Sequence, residues 1–430
     1  MRPTRTEAGS TTTVDEPSGA WNAMDMTVKK LPPADLRRRW MVPAYGQYLL
    51  GVGLAWVMLG MLIMPAGVSF NPSKAFQKSL ILLLYLPALW LICKRFARVR
   101  AELWPQATFR VFLLLLAWAL LSLLWADLRR PADELGRIVS VTLFVLGWFV
   151  WNDPEQRRGL TLLRYVTCGT ALCAGWFVAS FLLSYHNGER IVGDGVVATA
   201  NYAAAVMGVA TVWAVQLAPP SARWNAVRWV AVALLLGFVA LTDTRSVWLA
   251  LALCIALSPL WSRRLAAKVG AVLVLLGGAA LALFLPSPLG SRGMSLRPQI
   301  FEDAVALIRT HPWLGLGQGT PFQLEVNGQY FTHSHNLFTQ AAIELGLPGL
   351  LLTLVLWLLI GWQGWRQRAL PQGRLLLSTW IFASVVLQFD MPQLLDSPRP
   401  GWLLIWLPLG LALGLGARAH ATARRPEPLH

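Results

Sequence analysis

Apolar runs recur along almost the whole chain and are separated by short polar breaks. They predict twelve helical spans at 46–66, 79–93, 109–126, 138–151, 161–184, 199–217, 227–242, 246–260, 267–286, 345–363, 375–389 and 401–416. A helix rising 1.5 Å per residue needs roughly 20 apolar residues to cross hydrocarbon. Backbone polar groups in a bilayer must be satisfied internally, which leaves helices or a closed barrel. Runs of this length select helices. The expected fold is therefore all-α, a polytopic membrane protein of about twelve transmembrane helices.

One polar interval is much longer than the rest, 287–344, and its first half has a different period. From Ser295 the chain reads Leu-Arg297-Pro-Gln-Ile-Phe-Glu302-Asp303-Ala-Val-Ala-Leu-Ile-Arg309-Thr-His311-Pro. Ser295 suits an N-cap, Pro298 a first turn and Pro312 a stop. Phe301, Val305 and Ile308 fall on one face, with Glu302, Asp303 and Arg309 off it, predicting an amphipathic helix lying along a membrane surface. The organisation follows as a polar tail over 1–40, a membrane domain over 41–416 that includes the loop 287–344, and a short tail over 417–430.

Composition agrees with this reading. The chain is 56% hydrophobic, holds 22 tryptophans and is only 13% charged, about half the charged fraction usual in soluble proteins, roughly 25%. Cys93, Cys168, Cys173 and Cys254 all lie in apolar runs without metal-type spacing, as small core hydrophobes do. Residues 1–40 carry both signs of charge and no early apolar region, so the first span is expected to direct insertion.

Charge then orients the spans. With the N-terminus placed in the cytoplasm, 26 of the 37 Lys and Arg residues fall on inside segments and 11 on outside ones. That asymmetry puts both termini in the cytoplasm. The net charge of +16 is thus mainly a topology signal with attraction to anionic lipid, and no nucleic-acid partner is expected. The loop 287–344 and the short loops near 185–198, 242–246 and 388–400 come to lie outside.

Those outer loops hold the candidate chemistry. Arg190 is the strong cation of the first, where Gly193 and Gly195 let the backbone bend back toward the next span, and Asn201 lies just inside that span, where an amide wants a partner. Arg245 sits in the tight Thr242-Asp243-Thr244-Arg245-Ser246 turn, where a guanidinium offers five donors in a fork suited to phosphate oxygens. A local ion pair with Asp243 is the plainer alternative. Arg297 opens the amphipathic helix, where backbone donors also favour an anion. Gly315-Leu-Gly317-Gln-Gly319 lacks the lysine and the strand–helix context of a phosphate loop.

Thr332-His333-Ser334-His335-Asn336 brings two of the six histidines together at the end of the long loop. Either is suited to moving a proton near neutral pH. The plainer alternative is that one caps the following helix and the other is solvated. A metal held by His333, His335 and a carboxylate such as Asp390 is the weaker idea, because an i, i+2 pair does not share a helical face. Asp390 and Asp396, in the Pro-rich last outer loop, supply carboxylates to orient an imidazole or an acceptor hydroxyl. Arginines beside a neutral histidine suit a lipid-linked diphosphate and a hydroxyl attacking the carbon that bears it, a reaction demanding no metal and no cofactor.

His335-Asn336 followed by Gly346 and Gly349 resembles the signature of the O-antigen ligase and polymerase superfamily. The likeness extends to Thr244-Arg245-Ser246, to Arg297 through Trp313-Leu-Gly315-Leu-Gly317, and to Arg190 with Ala-Asn201-Tyr-Ala, covering about 185–350. The resemblance implies a GT-C-like, metal-independent glycosyltransferase of the bacterial inner membrane, with its active site on the periplasmic face. It implies an undecaprenyl-diphosphate-linked O-antigen donor held by Arg190, Arg245 and Arg297, with His335 as base and His333 as the competing choice. Asp390 lies outside the motifs and is carried as a candidate. Of the branches, a ligase acting on the lipid A core oligosaccharide in lipopolysaccharide biosynthesis suits a single large outer loop. An O-antigen polymerase is the alternative, and a lipid-linked glycan flippase or transporter is the alternative of another class.

Overall fold

The computed structural model describes residues 44–67, 71–184, 188–284 and 296–423. The tail 1–40 and Ser295 fall outside the described residues. Among the described residues fourteen helices follow one another: α1 (Ala44–Ile63), α2 (Lys74–Lys94, with a π turn at Ile81–Tyr85), α3 (Phe96–Leu103), α4 (Ala107–Ser122), α5 (Pro131–Trp151), α6 (Arg157–Leu183) and α7 (Ala200–Gln216). Then come α8 (Ala222–Thr242), α9 (Arg245–Leu257), α10 (Leu265–Phe284), α11 (Arg297–Thr310), α12 (Leu337–Arg366), α13 (Pro371–Val386) and α14 (Leu407–Ala423, entered through a π turn at Trp402–Trp406).

Each of the twelve expected spans overlaps one of these helices. By length and composition, however, seven of the described helices qualify as membrane crossings: α1, α2, α5, α6, α8, α12 and the last helix. An eighth is added if α3 and α4, bent by 110° at their junction, form one broken span. The helices α7, α9, α10 and α13 occupy the remaining expected positions. Exposed leucines and tryptophans such as Leu172, Trp176 and Leu275 cover the outer surface, as hydrocarbon-facing helices require.

Helix α7 is almost wholly enveloped by its neighbours. Its Ala203, Ala204, Ala205 and Gly208 are small enough for neighbouring helices to approach closely, and a side chain at Gly208 would collide with Phe382 and Val247. Inside this packing the Trp213 indole N–H donates to Thr379 Oγ1 at 3.1 Å, so a buried polar group keeps a partner.

Two features depart from the predicted all-α layout. Leu324–Val326 and Gln329–Phe331 form a short antiparallel hairpin, β1 and β2. Its turn, Asn327-Gly328, has both residues at positive φ, 51° and 75°, the combination a two-residue hairpin favours. The amphipathic helix α11 exists, but its buried face is Ile300 and Ala304, backed by Leu307 and Ile308 against Leu324, Val326 and Ile343. Of the face read from spacing, Phe301 is exposed and Val305 and Ile308 are half-buried, and Leu296 occupies the N-cap position. The hairpin supplies the covering surface that helical periodicity alone does not reveal.

The expected span 345–363 is the later part of a longer helix, α12, broken at Gly346 (φ 66°, ψ −173°) with Pro348 just beyond. The break strips carbonyl oxygens of their helical donors, and the preceding glycine-rich loop replaces them. Leu316 N–H donates to Ile343 O and Gly317 N–H to Glu344 O, both at 2.8 Å. The Trp118 indole donates to Leu345 O at 2.8 Å, and Leu347 N–H donates to Pro312 O at 2.8 Å. A Cβ at Gly346 would collide with the Trp313 carbonyl, and one at Gly315 with the Glu344–Gly346 backbone. The Gly315–Gly319 segment is therefore a backbone joint for the broken helix.

Candidate active site

All six residues singled out from sequence lie at one end of the bundle, though not in one contact group. The end of α6, the starts of α7, α9, α11 and α12 and the end of α13 meet there. Asn336 caps α12: its Oδ1 accepts from Phe338 N–H at 2.8 Å and Thr339 N–H at 3.2 Å. The cap is thus Asn336 itself, not a histidine. Its amide nitrogen donates to Gln388 Oε1 at 2.8 Å, and Leu337 N–H donates to Leu387 O at 3.0 Å. These bonds fasten the end of α13 to the start of α12 and set Phe389 and Asp390 beside the histidines.

Ser334 anchors the backbone between the two imidazoles. Its N–H donates to Gln340 Oε1 at 3.1 Å and its hydroxyl to Asn336 O at 2.9 Å. With Ser334 buried, His333 and His335 turn to the same place, ring centroids 4.1 Å apart and planes at 72°. The His335 backbone is left-handed, φ 55°, a conformation that His adopts more readily than most side chains. Phe331 of β2 closes one side at 5.9 Å from the His335 ring. Both Nδ1 atoms are buried without a hydrogen-bond partner.

Burial and charge keep this pair neutral. Desolvation lowers the His335 pKa first, and the adjacent His333 and Arg297 lower it further, to about 3. His333 is also lowered, by burial and by Arg399, while the Asp390 carboxylate pulls in the other direction. Arg297 thus acts on His335, and Asp390 on His333. The Arg297 guanidinium sits 5.8 Å from the Phe389 ring centroid, and no carboxylate pairs with it among the described residues.

The other two arginines stand apart from the imidazoles. Arg190 Nε donates to Thr242 O at 2.5 Å, and its Nη2 donates to Thr244 Oγ1 at 2.8 Å and Asn201 Oδ1 at 3.1 Å. It therefore ties the start of α7 to the turn that carries Arg245. Asn201, expected to want a partner, has found this one. Arg245 itself is exposed in the first turn of α9. Asp243, at φ 47°, ends α8 beside it.

Sequence reading missed the ionic cluster next to this site. Arg399 Nε pairs with Asp396 Oδ2 at 3.1 Å, and its Nη2 donates to Asn71 Oδ1. Arg399 also hydrogen-bonds Tyr202, the neighbour of Asn201. Across Asp396, Arg137 Nε lies 3.6 Å from Oδ1, and Arg137 pairs with Glu134 at 2.5 Å. Gln318 Nε2 reaches Glu134 Oε2 at 3.4 Å and Leu395 O at 3.2 Å. The only sequence signal was a stiff Pro398-Arg399-Pro400 loop; the partners come from α5, the loop before α2, and α7. Among the described residues no group of three or more His, Cys, Asp or Glu stands at metal-ligand spacing.

Long apolar helices, with a buried histidine pair and arginines gathered at one end, are the architecture of a multi-pass membrane protein. Residues 230–354 match the family described as O-antigen ligase. The chain is also 27% identical over 381 residues to an O-antigen ligase of Pseudomonas aeruginosa, an alignment covering 86% of this chain and 94% of that protein. The likeness to the O-antigen ligase family, first visible in four short motifs, is therefore found both in the family's domain and along most of the chain.

Proposed function

We propose that this protein transfers O-antigen from undecaprenyl diphosphate to the lipid A core oligosaccharide at the periplasmic face of the inner membrane. The observation that carries the reading is the neutral His333–His335 pair beside Arg297. An acceptor hydroxyl attacks the sugar carbon bearing the diphosphate, its proton passes to His335, and the carbon–oxygen bond to the diphosphate breaks with its electron pair leaving on the phosphate. Arg297 and Arg245 take up the charge on the diphosphate. Arg190, pinned by three acceptors, adds a fixed positive charge that needs no reorganisation during the reaction. Binding the anionic donor neutralises the field of Arg297 on His335, which makes that imidazole a better base once donor is present. His333, with Asp390 behind it, competes for the role.

The relative's name, O-antigen ligase, supports the ligase branch, as does the single long loop. The test uses purified full-length protein, lipid-linked glycan and rough lipopolysaccharide, with and without a chelator. Glycan joined to the core acceptor, undiminished by the chelator, is the expected result. Donor chains that lengthen while the core acceptor stays bare would make the protein a polymerase, and transfer abolished by the chelator would overturn the arginine-only account.

A further inference from the structure

The first turns of α12 bury two polar side chains that the transfer step itself does not use. Gln340 and Glu344, four residues apart, share one face of the helix and are 3% and 6% exposed. Gln340 bridges outward and inward. Its Oε1 accepts from Ser334 N–H at 3.1 Å, and its Nε2 donates to Glu344 Oε1 at 2.7 Å. Ser334 precedes the helix, so its N–H has no place in the helical ladder and needs this acceptor.

Glu344 is held in turn by the joint. Its carbonyl accepts from Gly317 N–H at 2.8 Å, and Gly346, two residues on, breaks the helix. Arg137, Glu134 and Asp396 are its charged neighbours. Glu344 therefore stands between the ionic cluster and the histidine loop.

Two apolar side chains would fill this space without the cost of burying an amide and a carboxyl group. What the polar pair adds is direction. Ser334 N–H can only donate, so it takes the amide oxygen and leaves the amide N–H groups for the Glu344 carboxyl. A flipped amide would set donor against donor at Ser334. The fixed N–H belongs to the residue between the imidazoles, next to the left-handed backbone of His335 at φ 55°. Such a backbone persists only where its surroundings hold it. Ser334 Oγ, which accepts from Thr339 Oγ1 at 2.8 Å and donates to Asn336 O at 2.9 Å, ties the far side of His335. Gln340 ties the near side.

We propose that Gln340, oriented by Glu344, is a positioning residue that holds the His333–Ser334–His335 backbone so that the two imidazoles meet. Its effect on rate rests on the ligase reading; its effect on the loop does not. Both side chains are buried, so donor binding should be spared when they are changed.

The test compares full-length Gln340→Met, Glu344→Met and Glu344→Gln with wild type. In Gln340→Met, kcat for glycan transfer should fall at least about tenfold while KM for the lipid-linked donor stays within about threefold. Glu344→Met, one step further from the loop, should show the same split and carries the test if the Gln340 variant does not fold. Glu344→Gln, which keeps an acceptor oxygen for the amide, should recover most of the rate lost in Glu344→Met. Diethyl pyrocarbonate labelling near neutral pH reads the loop without any transfer. Scored against exposed His311, labelling of His333 and His335 should quicken at least about threefold in both methionine variants. Wild-type labelling in those variants overturns the inference, whether or not any form transfers glycan. A raised donor KM at unchanged kcat, or no recovery in Glu344→Gln, overturns the positioning role. Labelling as expected in a wild-type protein that transfers nothing would sink the ligase reading and leave the positioning of the loop standing.

Discussion

His335 combines three properties that rarely meet in one residue: a left-handed backbone, a second imidazole 4.1 Å away and an arginine acting on it. Holding it neutral has a thermodynamic consequence with a definite sign. Its folded pKa, about 3, lies below the ordinary 6.5, so between those values the unfolded chain binds the extra proton. Stability is then fully present above pH 6.5 and falls as pH drops toward 3. His333, lowered for the same main reason, adds in the same direction. Melting temperatures of wild type and His335→Gln, measured from pH 7.5 down to 5, should show a shallower acid loss in the variant. Parallel curves would mean that His335 is not held neutral by its surroundings. The residue types were legible in sequence, because two adjacent histidines in an apolar chain invite a proton-transfer reading. Their mutual geometry was not, since it depends on Ser334 being buried and on Gln388 across the cap, contacts separated by dozens of positions.

At the scale of elements, the joint between the glycine-rich loop and α12 fixes the site's frame. Gly346 at φ 66° and Gly315 at φ 65° face each other backbone to backbone; three hydrogen bonds of 2.8 Å cross the joint and the Trp118 indole of α4 adds a fourth. Gly346→Ala adds both a disfavoured backbone conformation and a collision with the Trp313 carbonyl. It should destabilise the protein by about 2 kcal/mol or more, visible as a lower melting temperature, with loss of activity following loss of fold. A wild-type melting temperature would show that the joint tolerates a side chain. Helical periodicity located α11 and bounded the apolar helices, because burial and the 3.6-residue repeat impose those patterns locally. It did not reveal the second apolar face, Ile300 and Ala304, because the hairpin that covers them is not a local partner. The Asn327-Gly328 pair was the available signal for that hairpin. The Pro-rich loop after α13 was read only as stiff, whereas its Arg399 and Asp396 hold Asn71, Tyr202 and Arg137, partners no local pattern predicts.

For the whole molecule, charge asymmetry and the apolar runs both concern solvent, which is why they were readable from one sequence. The arrangement of the helices rests on small residues such as Ala204 and Gly208 that admit close packing, and pattern alone does not pair helices. The proposed orientation puts Thr332, exposed beside the histidines, on the periplasmic side. In a chain whose four cysteines are replaced by serine, Thr332→Cys should react with a membrane-impermeant maleimide added outside spheroplasts. A cysteine at exposed Arg223, at the opposite end of the bundle, should react only after permeabilisation. The reverse pattern would place the histidines in the cytoplasm. The central claim, that His335 removes a proton from an acceptor hydroxyl while arginines hold a lipid diphosphate, is tested most directly by transfer in purified His335→Ala and His333→Ala proteins, with donor binding measured in parallel. The account predicts that His335→Ala binds donor within about threefold of wild type yet transfers glycan at least about a hundredfold more slowly. Wild-type transfer rates in both variants would contradict it.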